Sequence, residues 1–128
     1  MKLTKLNYVD EAERVIISMG RPDRNGKQRI SLSTSKIRGL LSMVSEIYND
    51  AIHSEGDSLS EDMLSRIAYL KMHFAYEAGR EPSVKELVEK ADIFEVIKQI
   101  GVSKEALIVF CHYMEALVAY RKYHFGND

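Results

Sequence analysis

Apolar residues recur at steps of three and four along nearly the whole 128-residue chain. This spacing predicts amphipathic helices, and strict alternation never persists long enough to indicate a strand. The chain has only two prolines, so long helices are allowed. We expect an all-α fold, a compact bundle of about five helices in a single domain spanning residues 1–128.

Turn residues separate five segments that carry the helical pattern. Ser60 is expected to cap the third segment and Gly79 to end it, while Ser83 and Glu86 are placed to form a capping box. Asp92 is a candidate break within the fourth segment. Residues 21–33, between the first two helices, are expected to form a flexible basic loop. The expected helices run from Tyr8 to Met19, from about Ser33 to Asn49 or Asp50, from Ser60 to Gly79, from Ser83 to Gly101 and from Ser103 to Tyr123.

Composition excludes several classes of protein. The net charge of −1 argues against a protein that coats nucleic acid by bulk charge, although it says nothing about local patches. The single cysteine, Cys111, excludes an internal disulfide framework, and its place on an apolar stripe predicts a buried small hydrophobe. The longest apolar run, 106–111, is far too short to span a bilayer. We therefore expect a cytoplasmic protein with no membrane partner.

No motif in the chain indicates catalysis. A glycine-rich phosphate loop, a zinc-protease helix and a nucleophile elbow are all missing from the sequence. His112 and Glu115 lie three residues apart, which is half of a di-iron carboxylate site, but the sequence has no second pair of this kind. We expect a protein that is not an enzyme, with no catalytic residue, no metal, no cofactor and no small-molecule substrate.

Charge is strongly segregated along the chain. Residues 21–38 contain six cations and one anion, whereas residues 39–65 contain six anions and no cation. Lys36 and Arg38 fall in the first turn of the second helix, where the helix dipole disfavours positive charge. Two cations beside free backbone N–H groups suit a phosphate. A solvated basic turn, or pairing with the acidic loop of a neighbouring helix, explains the same pattern.

A second candidate surface lies on the third helix. Cations and aromatic residues share one face of it, next to the apolar face. A groove for single-stranded nucleic acid combines these residue types, because cations follow the phosphates and rings stack on bases. Tyrosines at a core edge with a hydrated hydroxyl are the alternative interpretation. The residues of this face are Arg66, Tyr69, His73, Tyr76 and Arg80.

Four stretches of the chain resemble a known family. They are TSKIRGLL (34–41), RIAYL with FAYEAGRE (66–70 and 74–81), VKELVEKA (84–91) and YMEALVAY (113–120). They are similar to the small helical subunit of type III-A CRISPR–Csm effector complexes. The resemblance implies a non-catalytic, all-α protein whose copies stack head to tail beside a filament that holds the CRISPR RNA. Its implied partners are the CRISPR RNA–target RNA duplex, other Csm subunits and further copies of itself.

The resemblance also implies which residues contact RNA. The basic residues inside the matched stretches are the candidates, together with Arg121, one residue beyond the last stretch. Contacts to phosphate and ribose are expected, because base pairing with the guide supplies the sequence specificity. A protein–protein adaptor with no RNA contact is the alternative, and a DNA-binding regulator would need a recognition helix that no segment offers. The candidates are Lys36, Arg38, Arg66, Lys71, Arg80 and Arg121.

Overall fold

Six helices and one short hairpin make up the computed structural model, which describes residues 2–126. The all-α prediction is confirmed. The hairpin pairs β1 with β2 in antiparallel register between the first two helices. The elements are α1 (Tyr8–Ser18), β1 (Arg21–Pro22), β2 (Gln28–Arg29), α2 (Thr34–Ile52), α3 (Glu61–Arg80), α4 (Pro82–Lys90), α5 (Ile93–Ile100) and α6 (Lys104–Phe125).

The longest helix, α6, lies at the centre of the fold. It packs against α1, α2 and α5, while α3 packs against α2, α4 and α5. Phe74 of α3 meets Phe110 of α6 edge to face, with ring centroids 6.3 Å apart. Cys111 is buried as predicted, and burial raises the pKa of its thiol to about 12. The thiol therefore stays protonated and acts as a packing group.

Serine caps start three of the helices. The hydroxyls of Ser33, Ser60 and Ser103 each accept a hydrogen bond from the backbone N–H three residues later. The cap at Ser60 was predicted. The predicted capping box at Ser83 is wrong, because Pro82 occupies the first turn of α4 and Glu81 is its N-cap. The fixed φ of proline suits that first turn. Gly79 does not end α3, which continues to Arg80.

The expected fourth helix is two helices, α4 and α5. Asp92 separates them in a left-handed conformation with φ of 57°. The break rotates α5 relative to α4, so Ile93 is buried while Phe94, which an unbroken helix would bury, is 37% exposed. Across the break, the hydroxyl of Tyr113 donates a hydrogen bond of 3.0 Å to the Ala91 carbonyl.

The expected basic loop contains regular structure. A turn between β1 and β2 is closed by a backbone hydrogen bond of 2.8 Å from Asp23 N–H to the Lys27 carbonyl. Gly20, just before β1, lies so close to Phe125 of α6 that an added Cβ would meet the ring at 3.0 Å. The hairpin therefore begins at a tight contact with the end of α6. Within residues 2–126, no helix is both long enough and apolar enough to cross a membrane.

Candidate nucleic-acid interface

A groove runs between α2 and α3. One part of it, of about 380 Å³, is lined by Met43 and Asp50 from α2 and by Arg66 and Tyr69 from α3, among others. A second part, of about 460 Å³, continues toward the N-terminus of α2 and reaches α4. Met43 and His73 line both parts, so the two form one continuous channel along the helices.

Part of the aromatic and cationic face predicted for α3 lines this groove, namely Arg66, Tyr69 and His73. Tyr76 and Arg80 of the same face lie beside the groove, where Arg80 pairs with the groove residue Glu77. Tyr69 and Tyr76 are 60% and 62% exposed. Tyr69 packs edge to face on His73 with ring centroids 4.6 Å apart. The Arg80 guanidinium lies 5.5 Å from the ring centroid of Tyr76, in cation–π geometry. The side chains therefore form a ridge of exposed rings with a cation near each end.

The two cations that line the groove, Lys36 and Arg66, and Arg80 beside it each have an acidic partner in the same molecule. Lys36 lies 3.1 Å from the Glu81 carboxylate, Arg66 lies 2.7 Å from Asp50, and Arg80 lies 3.2 Å from Glu77. The groove is thus balanced in charge and not simply positive. All three pairs are partly exposed to solvent, and exposed pairs typically contribute about 0–1 kcal/mol. A phosphate can therefore replace the carboxylate at modest cost.

Arg38 and Lys71 lie outside the groove. Arg38 follows Lys36 by two residues, which places it about 200° away around the helix axis. Lys71 precedes His73 by the same two residues and lies on the far side of α3 from the groove. Both side chains are exposed. Lys36 and Arg38 therefore point to different sides of α2, which argues against their binding one phosphate together, and their RNA contacts stay predictions.

Arg121 occupies a structural position and not a surface one, which argues against the expected RNA contact, although that contact stays a prediction. Its side chain is only 2% exposed. The guanidinium donates a hydrogen bond of 3.0 Å to the Leu32 carbonyl and one of 2.6 Å to the Gly126 carbonyl. A signal for this was present in the sequence, since Arg121 continues the apolar stripe of Met114 and Leu117 at steps of three and four.

The ordered hairpin contains cations that the resemblance did not cover. Asp23 organises its turn through three accepted hydrogen bonds, from Asn25 N–H, Lys27 N–H and Arg29 Nε. These hydrogen bonds stabilise the charged carboxylate and hold the pKa of Asp23 below its ordinary value. The bond from Arg29 contributes most, and the bonds from the backbone add to it. The signal in the sequence is the Asp23-to-Gly26 spacing, since type I turns favour Asp at the first position and Gly at the fourth.

The family of this chain follows from its similarity to known proteins. The family model for Csm2 Type III-A matches residues 13–127. The chain belongs to the Csm2 type III-A family. It is 45% identical to the CRISPR system Cms protein Csm2 of Streptococcus thermophilus over 126 residues, 98% of each chain.

Two more distant relatives bear the same name. This Csm2-family chain is 37% identical over 126 residues to the protein from Enterococcus italicus, across 94% of this chain and 86% of that one. It is 36% identical over 123 residues to the protein from Mycobacterium tuberculosis strain CDC 1551 / Oshkosh, across 96% and 95%. The similarity therefore extends across the hairpin as well as the groove. The family suggested by the four sequence stretches is confirmed.

Proposed function

We propose that this chain is a non-catalytic structural subunit of the type III-A CRISPR–Csm complex, present in several copies, that contacts the target RNA strand paired to the guide. Membership of the Csm2 family and the names of its relatives support the assignment to a CRISPR system. The observation that carries the RNA contact is the ridge of exposed tyrosines on α3 between Arg66 and Arg80.

The groove can hold RNA by exchanging partners. A phosphate entering near Tyr69 takes the place of the Asp50 carboxylate beside Arg66, and one near Tyr76 takes that of Glu77 beside Arg80. The displaced Asp50 carboxylate is already exposed and that of Glu77 is partly exposed, so both become hydrated. The tyrosine rings offer flat apolar surface to ribose or to an unpaired base, which tolerates any sequence. Recognition is then of backbone and shape, while pairing with the guide supplies specificity.

One copy binds weakly under this proposal. The chain has a net charge of −1, and each groove cation must first release a carboxylate. Affinity that comes from two or three phosphate contacts is low at physiological salt. Several copies held side by side on one strand convert such contacts into strong binding through effective concentration. The proposed assembly is therefore part of the binding mechanism. A single buried cysteine is compatible with the reducing cytoplasm where we place it.

The test replaces the two ridge cations in the assembled complex. Csm complex is reconstituted with Arg66→Gln plus Arg80→Gln, and target-RNA affinity is measured by filter binding. We expect roughly tenfold weaker binding or more, with normal incorporation of the subunit. Lys2→Gln plus Lys98→Gln is the matched control, since it removes the same charge from exposed positions outside the groove. Equal affinity of the ridge variant and wild type would reject the ridge as an RNA contact.

The adaptor function is the second candidate, and the paired groove cations favour it. If all three ion pairs persist in the complex, the groove presents little net charge to RNA. The opposed basic and acidic segments would then serve only contacts between subunits. This candidate predicts salt-sensitive assembly and an unchanged RNA affinity for the ridge variant, so the same experiment separates the two functions.

A further inference from the structure

We propose that the hairpin formed by residues 21–29 is a second contact for the RNA backbone, made through Arg24 and Lys27 at its tip. This inference goes beyond the groove and depends on the proposed function, since it requires the chain to lie along an RNA strand. It concerns a separate surface with its own chemistry.

The tip cations differ from the groove cations because no carboxylate offsets them. Arg21 pairs with Glu86 at 3.1 Å and Arg29 pairs with Asp23 at 3.0 Å, both in the lower part of the hairpin. Within residues 2–126, neither Arg24 nor Lys27 has an acidic side chain within ion-pair distance. Both side chains are exposed. The tip therefore holds two uncompensated positive charges within four residues.

The tip is also held in one shape by several contacts. Asp23 accepts from the N–H groups of Asn25 and Lys27 at 2.8 and 3.0 Å, which fixes the backbone on both sides of Arg24. At the base of the hairpin, the Arg21 guanidinium donates a hydrogen bond of 2.9 Å to the Ser18 carbonyl. Gly26 takes a φ of +81°, which glycine adopts without strain. Cations on a pre-organised turn lose less conformational freedom when they bind a phosphate than cations on a loose loop would.

The composition of the hairpin favours nucleic acid over protein as its partner. Pro22 is the only apolar residue between 21 and 29. Protein interfaces concentrate their binding energy in Trp, Tyr and Arg at a desolvated centre, and this hairpin has arginines but no aromatic residue to pack beside them. Contacts with a phosphodiester backbone need only positive charge and hydrogen-bond donors, and arginine and lysine supply both. The hairpin thus fits a phosphate backbone and not an apolar protein groove.

The experiment measures how target-RNA affinity depends on salt in the assembled Csm complex. It compares wild type, Arg24→Gln plus Lys27→Gln, the charge-preserving Arg24→Lys plus Lys27→Arg, and the control Lys2→Gln plus Lys98→Gln. Each phosphate contact adds about 0.7–0.9 to the slope of log K against log salt. We expect the Gln pair to lower the slope by about 1.4–1.8 for each engaged copy, while the charge-preserving pair and the control retain it.

Every other outcome overturns the assignment. If the Gln pair keeps the wild-type slope while the ridge variant Arg66→Gln plus Arg80→Gln lowers it, the hairpin is no RNA contact and the proposed function stands. If neither variant changes the slope, both fail together. If the Gln pair blocks incorporation into the complex although its circular dichroism is unchanged, the hairpin binds another subunit and not RNA.

Discussion

The Lys36 ammonium lies 3.1 Å from the Glu81 carboxylate and ties the start of α2 to the junction of α3 and α4. This contact explains how a cation is tolerated where the helix dipole disfavours it, since a carboxylate faces it from the next layer. Binding of RNA by Lys36 also costs free energy, because the ion pair with Glu81 has to open first.

Removing the carboxylate should therefore strengthen RNA binding. Glu81→Gln is expected to raise the target-RNA affinity of the assembled complex by roughly two- to fivefold, because Lys36 no longer has to leave an ion pair worth about 0–1 kcal/mol. Glu95→Gln, which changes the charge equally at an exposed position on α5, should have a smaller effect. Equal gains in the two variants would mean that only net charge matters and that Lys36 does not contact RNA.

Arg121 should matter for folding and not for RNA. Arg121→Ala leaves the Leu32 and Gly126 carbonyls without their donor and empties a buried site, so we expect a loss of about 2–4 kcal/mol in the free energy of unfolding. Urea denaturation followed by circular dichroism measures this. Arg38→Ala, at an exposed position of α2, should change stability by less than about 0.5 kcal/mol. Similar values for both would contradict the structural assignment of Arg121.

The junction between α4 and α5 should depend on one buried hydroxyl. Tyr113→Phe removes the donor to the Ala91 carbonyl and leaves that carbonyl unpaired next to the break, at an expected cost of about 1–2 kcal/mol. Tyr120→Phe, whose hydroxyl belongs to a partly exposed side chain, is the control and should be close to neutral. Thermal unfolding of the two variants separates these outcomes.

The sequence predicts the helices well because each buries an apolar stripe whose period is visible in the residues. It predicts the caps less well, since Pro82 displaced the expected capping box at Ser83. The break at Asp92 was only a candidate, although aspartate adopts the left-handed conformation found there more readily than most residues do. An unbroken helix would bury Phe94, and the break leaves its side chain partly exposed.

The candidate site was predictable only in part. Helical spacing placed Arg66, Tyr69 and Tyr76 on one face, and the structure has them there. Two partners of the cations were not predictable, since Asp50 and Glu81 reach Arg66 and Lys36 only through the packing of α2, α3 and α4. Glu77 lies three residues before Arg80 on α3, a spacing that the sequence already shows. The burial of Arg121 depends on the Leu32 carbonyl, 89 positions away. The apolar stripe of α6 indicates that Arg121 is buried, but the identity of so distant a partner leaves no periodic signal.

The order of the hairpin should depend on pH through Asp23. Hydrogen bonds lower the pKa of its carboxyl in the folded protein. A lowered folded pKa means that the stabilisation is complete above the unfolded pKa, near 4, and is lost as pH falls through the folded value. We expect the Lys27 amide to be protected, relative to its intrinsic exchange rate at the same pH, from pH 7 down to about 4 and to lose that protection at lower pH. Asp23→Ala, which removes the acceptor, should leave this amide unprotected throughout, and an unprotected Lys27 amide in wild type at pH 7 would support the mobile loop expected from sequence.

The tyrosine ridge of α3 is proposed to face the target RNA in the assembled complex. Replacing Tyr76 with a photoreactive benzoylphenylalanine and irradiating the complex bound to labelled target RNA tests it most directly. The same probe at Leu6, which is more exposed but precedes α1, is the control. If the ridge faces the RNA, we expect a crosslink to the target strand from position 76 and none from position 6. Crosslinks from position 76 to protein subunits alone would contradict it.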